Sequence, residues 1–204
     1  MKVKYQKFKR IFLIFAVSLM LQACKLPSSG ESTSWQYPLL QFQLARQNLS
    51  QQLPMPVEGI TPKQISDTWG AARGQGRKHE GSDIFAKRGT AVLSTTQGIV
   101  AKVGLDSLGG KVVWVIGPDL NRHYYAHLDA YAQQIDIGDW VEQGTVLGYV
   151  GNTGNAKNTP PHLHYGVYLS GQGAVNPYAF LRHKGSYKHA YFSIQINQMM
   201  AQIV

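Results

Sequence analysis

The chain has 204 residues, a formal net charge of +9 and a single cysteine. That length holds one ordinary domain with extensions. An apolar content of 44% against 15% charged residues excludes an intrinsically disordered chain, and one cysteine excludes an intrachain disulfide or a cysteine-built zinc site. The 21 glycines and nine prolines predict many turns, as in a mostly β fold.

The first element is the N-terminal stretch MKVKYQKFKRIFLIFAVSLMLQAC. Lys2, Lys4, Lys7, Lys9 and Arg10 form a positive region, and Ile11 to Leu21 is an apolar run of 11 residues. A membrane span needs ~20 apolar residues, so this layout predicts a secretory signal. It ends at Leu21-Gln22-Ala23-Cys24, which resembles a bacterial lipobox, although Gln22 is an uncommon residue there. The resemblance implies cleavage of a signal peptide over residues 1–23 and lipidation of Cys24. The plain alternative is a simple signal peptide with a chance cysteine at the cut. Several acyl chains, at ~0.8 kcal/mol per buried methylene, anchor a protein stably to a membrane. By the same resemblance, Lys25 rather than aspartate after the cysteine favours the outer membrane, facing the periplasm, in a cell with two membranes.

The leader carries five cations and no acid, so removing it from a total of +9 leaves a mature charge near +4. A modestly basic protein favours anionic surroundings such as cell wall or lipid head groups. The basic residues occur as GRKHE, AKRGT and RHKGSYKH, with no long cationic run, so no nucleic-acid partner is expected.

Residues 24–56 read as a tether rich in Ser, Gln and Pro, with a short helix possible between Gln36 and Leu53. From about Val57 to Leu181 short apolar runs alternate with Gly, Asn and Asp. AVLSTTQGIVAKVG, GKVVWVIGP, RHYYAHL, GTVLGYVG and HLHYGVYL all predict strands. The fold class expected is all-β, mainly antiparallel sheet. Residues 182–204 form a C-terminal extension whose YFSIQINQMMAQIV suits helix and strand equally.

Three groups of residues carry chemistry. In HLHYGVYL, strand alternation puts His162 and His164 on one face, ~7 Å apart, where two imidazoles can ligate one metal or flank one substrate. A His-x-His pair alone is more often structural. In GRKHEGSDIFAKRGT, His79 and Asp83 lie in a Gly-rich extended stretch, and both side chains are good zinc ligands. The bland reading is a loop ion pair of Asp83 with Lys78 or Arg88. A catalytic zinc site wants three protein ligands and one open position. His79, Asp83 and one histidine of the 162/164 pair would supply them, leaving the other histidine beside the water. In RHYYAHLDA, alternation places His123, Tyr125 and His127 on one face and Tyr124 and Ala126 on the other. One of those two histidines could stabilise the charge on an attacked carbonyl, unless the run is only a solvent-facing edge.

With these motifs in place, the chain resembles the lysostaphin-type (LytM-like) zinc metallopeptidases, which cut peptide bonds of bacterial peptidoglycan. His-x-x-x-Asp corresponds to His79 and Asp83, His-x-His to His162 and His164, and Tyr-x-His-Leu to Tyr125, Ala126, His127 and Leu128. The likeness runs from about Trp69 to Leu181 and takes in GDWVEQGTVLGYVGNTG and NPYAFL. It implies a metallopeptidase domain over residues 57–181, of groove-bearing, barrel-sandwich-like β architecture. It implies one Zn2+ per chain held by His79, Asp83 and His164. His162 would act as general base and His127 would help to stabilise the oxyanion. His123 has no counterpart to carry over.

Two other functions are weighed against this one. A biotinyl- or lipoyl-type carrier, suggested by IDIGDWVEQGTVLGYVG, needs a lysine at a hairpin tip, and no lysine occurs between Lys111 and Lys157. A latent or non-catalytic regulator that activates other wall hydrolases is the alternative, and the complete residue set favours the enzyme. In a two-membrane cell the expected bond is the D-alanyl–diaminopimelate cross-link rather than a pentaglycine bridge.

Overall fold

A computed structural model describes residues 37–182. The signal peptide, Cys24 and residues 183–204 of the extension lie outside the described residues. Among those described, no helix is long and apolar enough to cross a membrane.

Two α-helices, α1 (Tyr37–Ala45) and α2 (Pro177–Arg182), bracket nine strands. The strands are β1 (Ser82–Phe85), β2 (Ala91–Leu93), β3 (Gly98–Asp106), β4 (Gly110–Ile116), β5 (Arg122–Tyr131), β6 (Trp140–Val141), β7 (Val146–Val150), β8 (His162–Leu169) and β9 (Gly173–Val175). They form one sheet in the order β1-β8-β5-β4-β3-β6. β7 joins through β5 and pairs with β2, and β9 pairs with β8. Every pairing is antiparallel, as the short apolar runs and frequent turns predict. The possible helix in 36–53 is realised as α1.

The two faces of the central strands differ. One carries the main core, in which Val92, Val100, Val113, Val115, Tyr125, Leu128, Leu147, Leu163, Tyr165 and Val167 are buried. Leu53 and Val57, from the chain before the first strand, and Phe180 and Leu181 of α2 close over that core. The backbone of Leu53 donates to the Phe180 carbonyl (3.0 Å). The other face carries a small cluster of Val112, Tyr124 and Ala126, against which Trp114 and Tyr168 pack. That second face is the floor of a groove.

Two expectations are corrected. AVLSTTQGIVAKVG is not one strand, because the chain turns between β2 and β3 at Ser94–Gln97. The turn is buried because its polar groups are satisfied. Ser94 Oγ donates to the Thr96 carbonyl (2.7 Å), and the Thr95 amide donates to Tyr125 Oη (2.9 Å). Thr95 Oγ1 lies 2.9 Å and 2.8 Å from the hydroxyls of Tyr125 and Tyr165.

The second correction concerns β5. Residues 123–128 are all buried, so this is neither a solvent edge nor a strand with one wet face. His123 and Tyr125 do share the core face, but His127 does not join them. His127 has a left-handed backbone (φ 63°), and Lys111 and Val113 of β4 face Leu128 and Tyr125 across a register shift. One extra residue in β5 makes a bulge that turns the His127 ring to the groove side of Tyr124 and Ala126.

His123 therefore has a different fate from the one its alternation suggests. It is fully buried, its Nδ1 meets Tyr165 Oη (2.8 Å) and Thr95 Oγ1 (3.2 Å), and its Nε2 has no partner. Burial lowers its pKa to about 4. The unfolded chain, with an ordinary histidine near 6.5, then takes up the proton first as pH falls. Its contribution is full above about pH 6.5 and is lost toward pH 4, at up to ~1.4 kcal/mol per pH unit. His123→Asn keeps an acceptor for Tyr165 but does not titrate. In thermal melts from pH 7 to 4 it should lower the neutral-pH midpoint and flatten the acid limb. An acid limb as steep as that of the unaltered chain would show that His123 is not the group involved.

Candidate metal centre and groove

Sheet register assembles the centre. Asp83 of β1 is the direct cross-strand partner of His164 on β8, and His164 is in turn the partner of Ala126 on β5. His162 lies two residues before His164 on the same strand, opposite Phe85. His79 arrives from a narrow hairpin-like loop, fixed by its amide donating to the Ala71 carbonyl and its carbonyl accepting from the Gly70 amide (both 2.9 Å).

Three donor atoms converge. His79 Nε2 and His164 Nδ1 are 2.9 Å apart, and each lies about as far from Asp83 Oδ1, at 3.0 Å and 3.1 Å. Zinc bonds of ~2.0–2.1 Å in tetrahedral geometry imply ligand edges of roughly 3.3 Å, so the spacing fits a small divalent ion. The chemistry of the donor set fits as well. Nδ1 of His79 donates to the Thr68 carbonyl (2.7 Å), which leaves the Nε2 lone pair aimed at a carboxylate oxygen. Electron-rich atoms this close need a shared proton or a cation between them. His79, Asp83 and His164 are the potential metal-binding cluster among the described residues, and they are the set that the resemblance implied.

Burial alone would raise the Asp83 carboxyl, but hydrogen bonds and charge interactions with His164 and His79 outweigh it and hold it well below the carboxylate range. The Asp83 partner anticipated in the loop, Lys78 or Arg88, is neither of these. Arg73 pairs with Oδ2 of Asp83, leaving Oδ1 to the centre, while Arg88 pairs with Asp129.

His162 and His127 stand beside the cluster without joining it. His162 Nε2 is 3.9 Å from Asp83 Oδ1, and the His127 ring lies 5.1 Å from His162 and 5.8 Å from His164 between centroids. Each is aimed by a backbone carbonyl, Nδ1–H of His162 by Pro160 (2.8 Å) and Nδ1–H of His127 by Thr153 (2.9 Å). In the neutral ring this leaves a lone pair on Nε2 in both. Burial, with His164 and His162 close by, lowers the His127 pKa to about 4. The groove around them encloses ≈ 970 Å³, with an aromatic wall of Trp114, Tyr124 and Tyr168 and a half-exposed Phe85 across from it.

Sequence reasoning did not find Arg73, the orienting carbonyls of Thr68, Pro160 and Thr153, or the aromatic wall, because none of them has a short-range signature. Gly81 belongs to the Gly-rich stretch between His79 and Asp83, which from sequence reads only as extended backbone. Its position has a sharper cause, since a Cβ there would lie 2.5 Å from Cε1 and 2.6 Å from Nε2 of His164. Gly81→Ala should push that ring aside and weaken zinc binding by about tenfold or more in a chelator competition. Unchanged zinc affinity in that variant would mean that His164 is not held by this contact.

Residues 77–177 match Peptidase family M23. The chain is 43% identical over 142 residues to the L-Ala–D-Glu endopeptidase of Bacillus subtilis, which covers 63% of this chain and 42% of that protein. It is 38% identical over 101 residues to the DD-carboxypeptidase/endopeptidase Mpg of Neisseria meningitidis, covering 50% and 22% of the two chains. It thus spans less than half the length of these curated relatives. Among solved structures, the catalytic domain of lysostaphin from Staphylococcus simulans superposes with a TM-score of 0.52 at 31% identity, over 58% of this chain and 90% of that domain. With that domain matched almost end to end and the motif residues gathered in one groove, the chain belongs to peptidase family M23.

Proposed function

We propose that the protein is a zinc-dependent endopeptidase that hydrolyses peptide cross-links of bacterial peptidoglycan. The observation that carries this reading is the junction of a three-donor cluster with two further histidines, each presenting a bare Nε2 to one groove. Relatives described as L-Ala–D-Glu, DD- and glycyl-glycine endopeptidases support the class of reaction. Sequence alone supports the lipid anchor at Cys24 and an outer-membrane site facing the periplasm.

His79, Asp83 and His164 would hold the zinc. When bound there, the ion would polarise the scissile carbonyl and make water acidic enough to attack near neutral pH. The chain's own residues do the rest. Trp114, Tyr124 and Tyr168 offer a surface for the substrate backbone. His162 Nε2 is placed to take the proton of the attacking water. His127, bare at Nε2 when neutral, begins as an acceptor. It becomes a donor toward the developing oxyanion, or toward the leaving amine, once a proton reaches it. The Pro160 and Thr153 carbonyls hold both rings in the tautomer that permits this.

The full-length chain in detergent, incubated with purified cross-linked peptidoglycan, tests the reading. About one zinc per chain and chelator-sensitive loss of cross-linked fragments are expected, with product masses identifying the bond. His162→Ala should retain zinc and lose activity by ~10²-fold or more, whereas His164→Ala should lose the zinc itself. Full activity in His164→Ala would sink the ligand assignment. Bound zinc without cleavage would instead make the protein a latent enzyme or a regulator of other wall hydrolases.

A further inference from the structure

The loop that delivers His79 carries a charge arrangement that the metal centre does not account for. Ala72 and Lys78 pair across this loop as an antiparallel bridge, and the Arg73 amide donates to the Arg77 carbonyl (2.9 Å). Arg73 and Arg77 are therefore direct cross-strand neighbours on either side of the turn at Gly74–Gly76. Like charges at such positions destabilise a pair. Alternation also places Arg77 on the face of His79, two residues on, and both arginines line the groove.

Their charges have different outlets. Arg73 is engaged with Asp83. Arg77 is exposed and has no side-chain partner among the described residues. Lys78 and Glu80, its neighbours on the rim, offset each other in sign. Across the groove Asp106 is occupied, accepting from Tyr124 Oη (2.7 Å) and from the amides of Leu108 and Gly109. The Arg77 guanidinium thus stands in the groove with no ion-pair partner among the described residues, beside a second arginine whose charge is met by Asp83. A planar fork in that position matches a carboxylate.

We propose that Arg77 reads a free carboxylate on the residue flanking the scissile bond, so that the groove selects acidic stem peptides over neutral bridges; this rests on the peptidase reading. Positions i and i+2 of an extended chain are ~7 Å apart, about two residues of an extended substrate. That spacing places the contact one or two residues from the bond over the metal centre. Both an Ala–Glu bond and a D-alanyl–diaminopimelate bond have such a carboxylate beside them, and a glycine bridge has none.

The test uses the full-length chain in detergent and two pairs of synthetic peptides, one pair containing the Ala–Glu bond and one the D-alanyl–diaminopimelate bond. Within each pair the flanking carboxylate is either free or converted to a carboxamide. Both kcat/KM with zinc and Kd on the metal-free chain are measured. The carboxamide should cost about tenfold in at least one pair, and the pair that responds identifies the source of the carboxylate. Arg77→Gln should bring the members of that pair within about twofold of each other. Equal treatment of both members in the unaltered chain, or discrimination that survives Arg77→Gln, would overturn the proposal even while cleavage upholds the peptidase. If all four peptides bind but none is cleaved, the peptidase reading falls, and the Kd ratio alone decides the role of Arg77. If none binds and none is cleaved, both readings fail together.

Discussion

Two imidazole nitrogens and a carboxylate oxygen stand about 3 Å from one another at the floor of the groove, and much of the structure serves to keep them there. Such atoms repel unless something positive lies between them, so the fold has to hold the constellation by force of packing. It does so from the most rigid part available. Asp83 and His164 are register partners in adjacent strands, and β8 lies between β1 and β5, so it is paired on both edges. Leu163, between the two histidines of β8, is fully buried on the opposite face. A one-residue slip of β8 would send His162 and His164 into the core and Leu163 into the groove. The apolar face and the polar face thus specify the same register.

β5 shows the opposite device. A regular strand would have sent His127 to the core beside His123 and Tyr125. The left-handed residue at His127 breaks the alternation and re-aims the ring. A non-glycine residue in that conformation is held at a cost of order 1–3 kcal/mol, which the buried strand around it can sustain. The regular half of β5 contributes to the core through Tyr125 and His123, and the irregular half contributes to the site. The polar turn at Thr95 ties the regular half down, since its hydroxyl reaches Tyr125, Tyr165 and His123 together.

What the sequence revealed follows from this division. Strand alternation correctly paired His162 with His164, because β8 is regular from end to end. The same rule misplaced His127, because a bulge has no single-residue signature when its left-handed position is not glycine. Short-range spacing brought out His79 with Asp83, yet the Arg73 that holds the second oxygen of Asp83 comes from the far side of a turn that spacing does not describe. The buried Ser94–Gln97 turn read as strand because threonine is favoured in strands, and the partners of the Thr95 hydroxyl lie 28, 30 and 70 residues away. Gly81 read as a local backbone signal, whereas its cause is a ring on a strand some eighty residues later.

The choice of orienting groups has an electrostatic consequence. His79, His127 and His162 are all aimed by backbone carbonyls rather than by carboxylates. A carboxylate in any of those places would add a full negative charge beside the centre, whereas a carbonyl fixes the tautomer without one. The three-donor cluster therefore has a single anionic member, Asp83, and the outer oxygen of its carboxylate is already met by Arg73. A divalent ion placed among these residues leaves the groove floor net positive. Walls that exclude water on the aromatic side strengthen that field. A floor of this sign would favour an anionic substrate before any specific contact is made, and would make a carbonyl bound there a better electrophile once the contact is made. If the proposed acidic peptide is the substrate, its recognition and the activation of its carbonyl would draw on one distribution of charge.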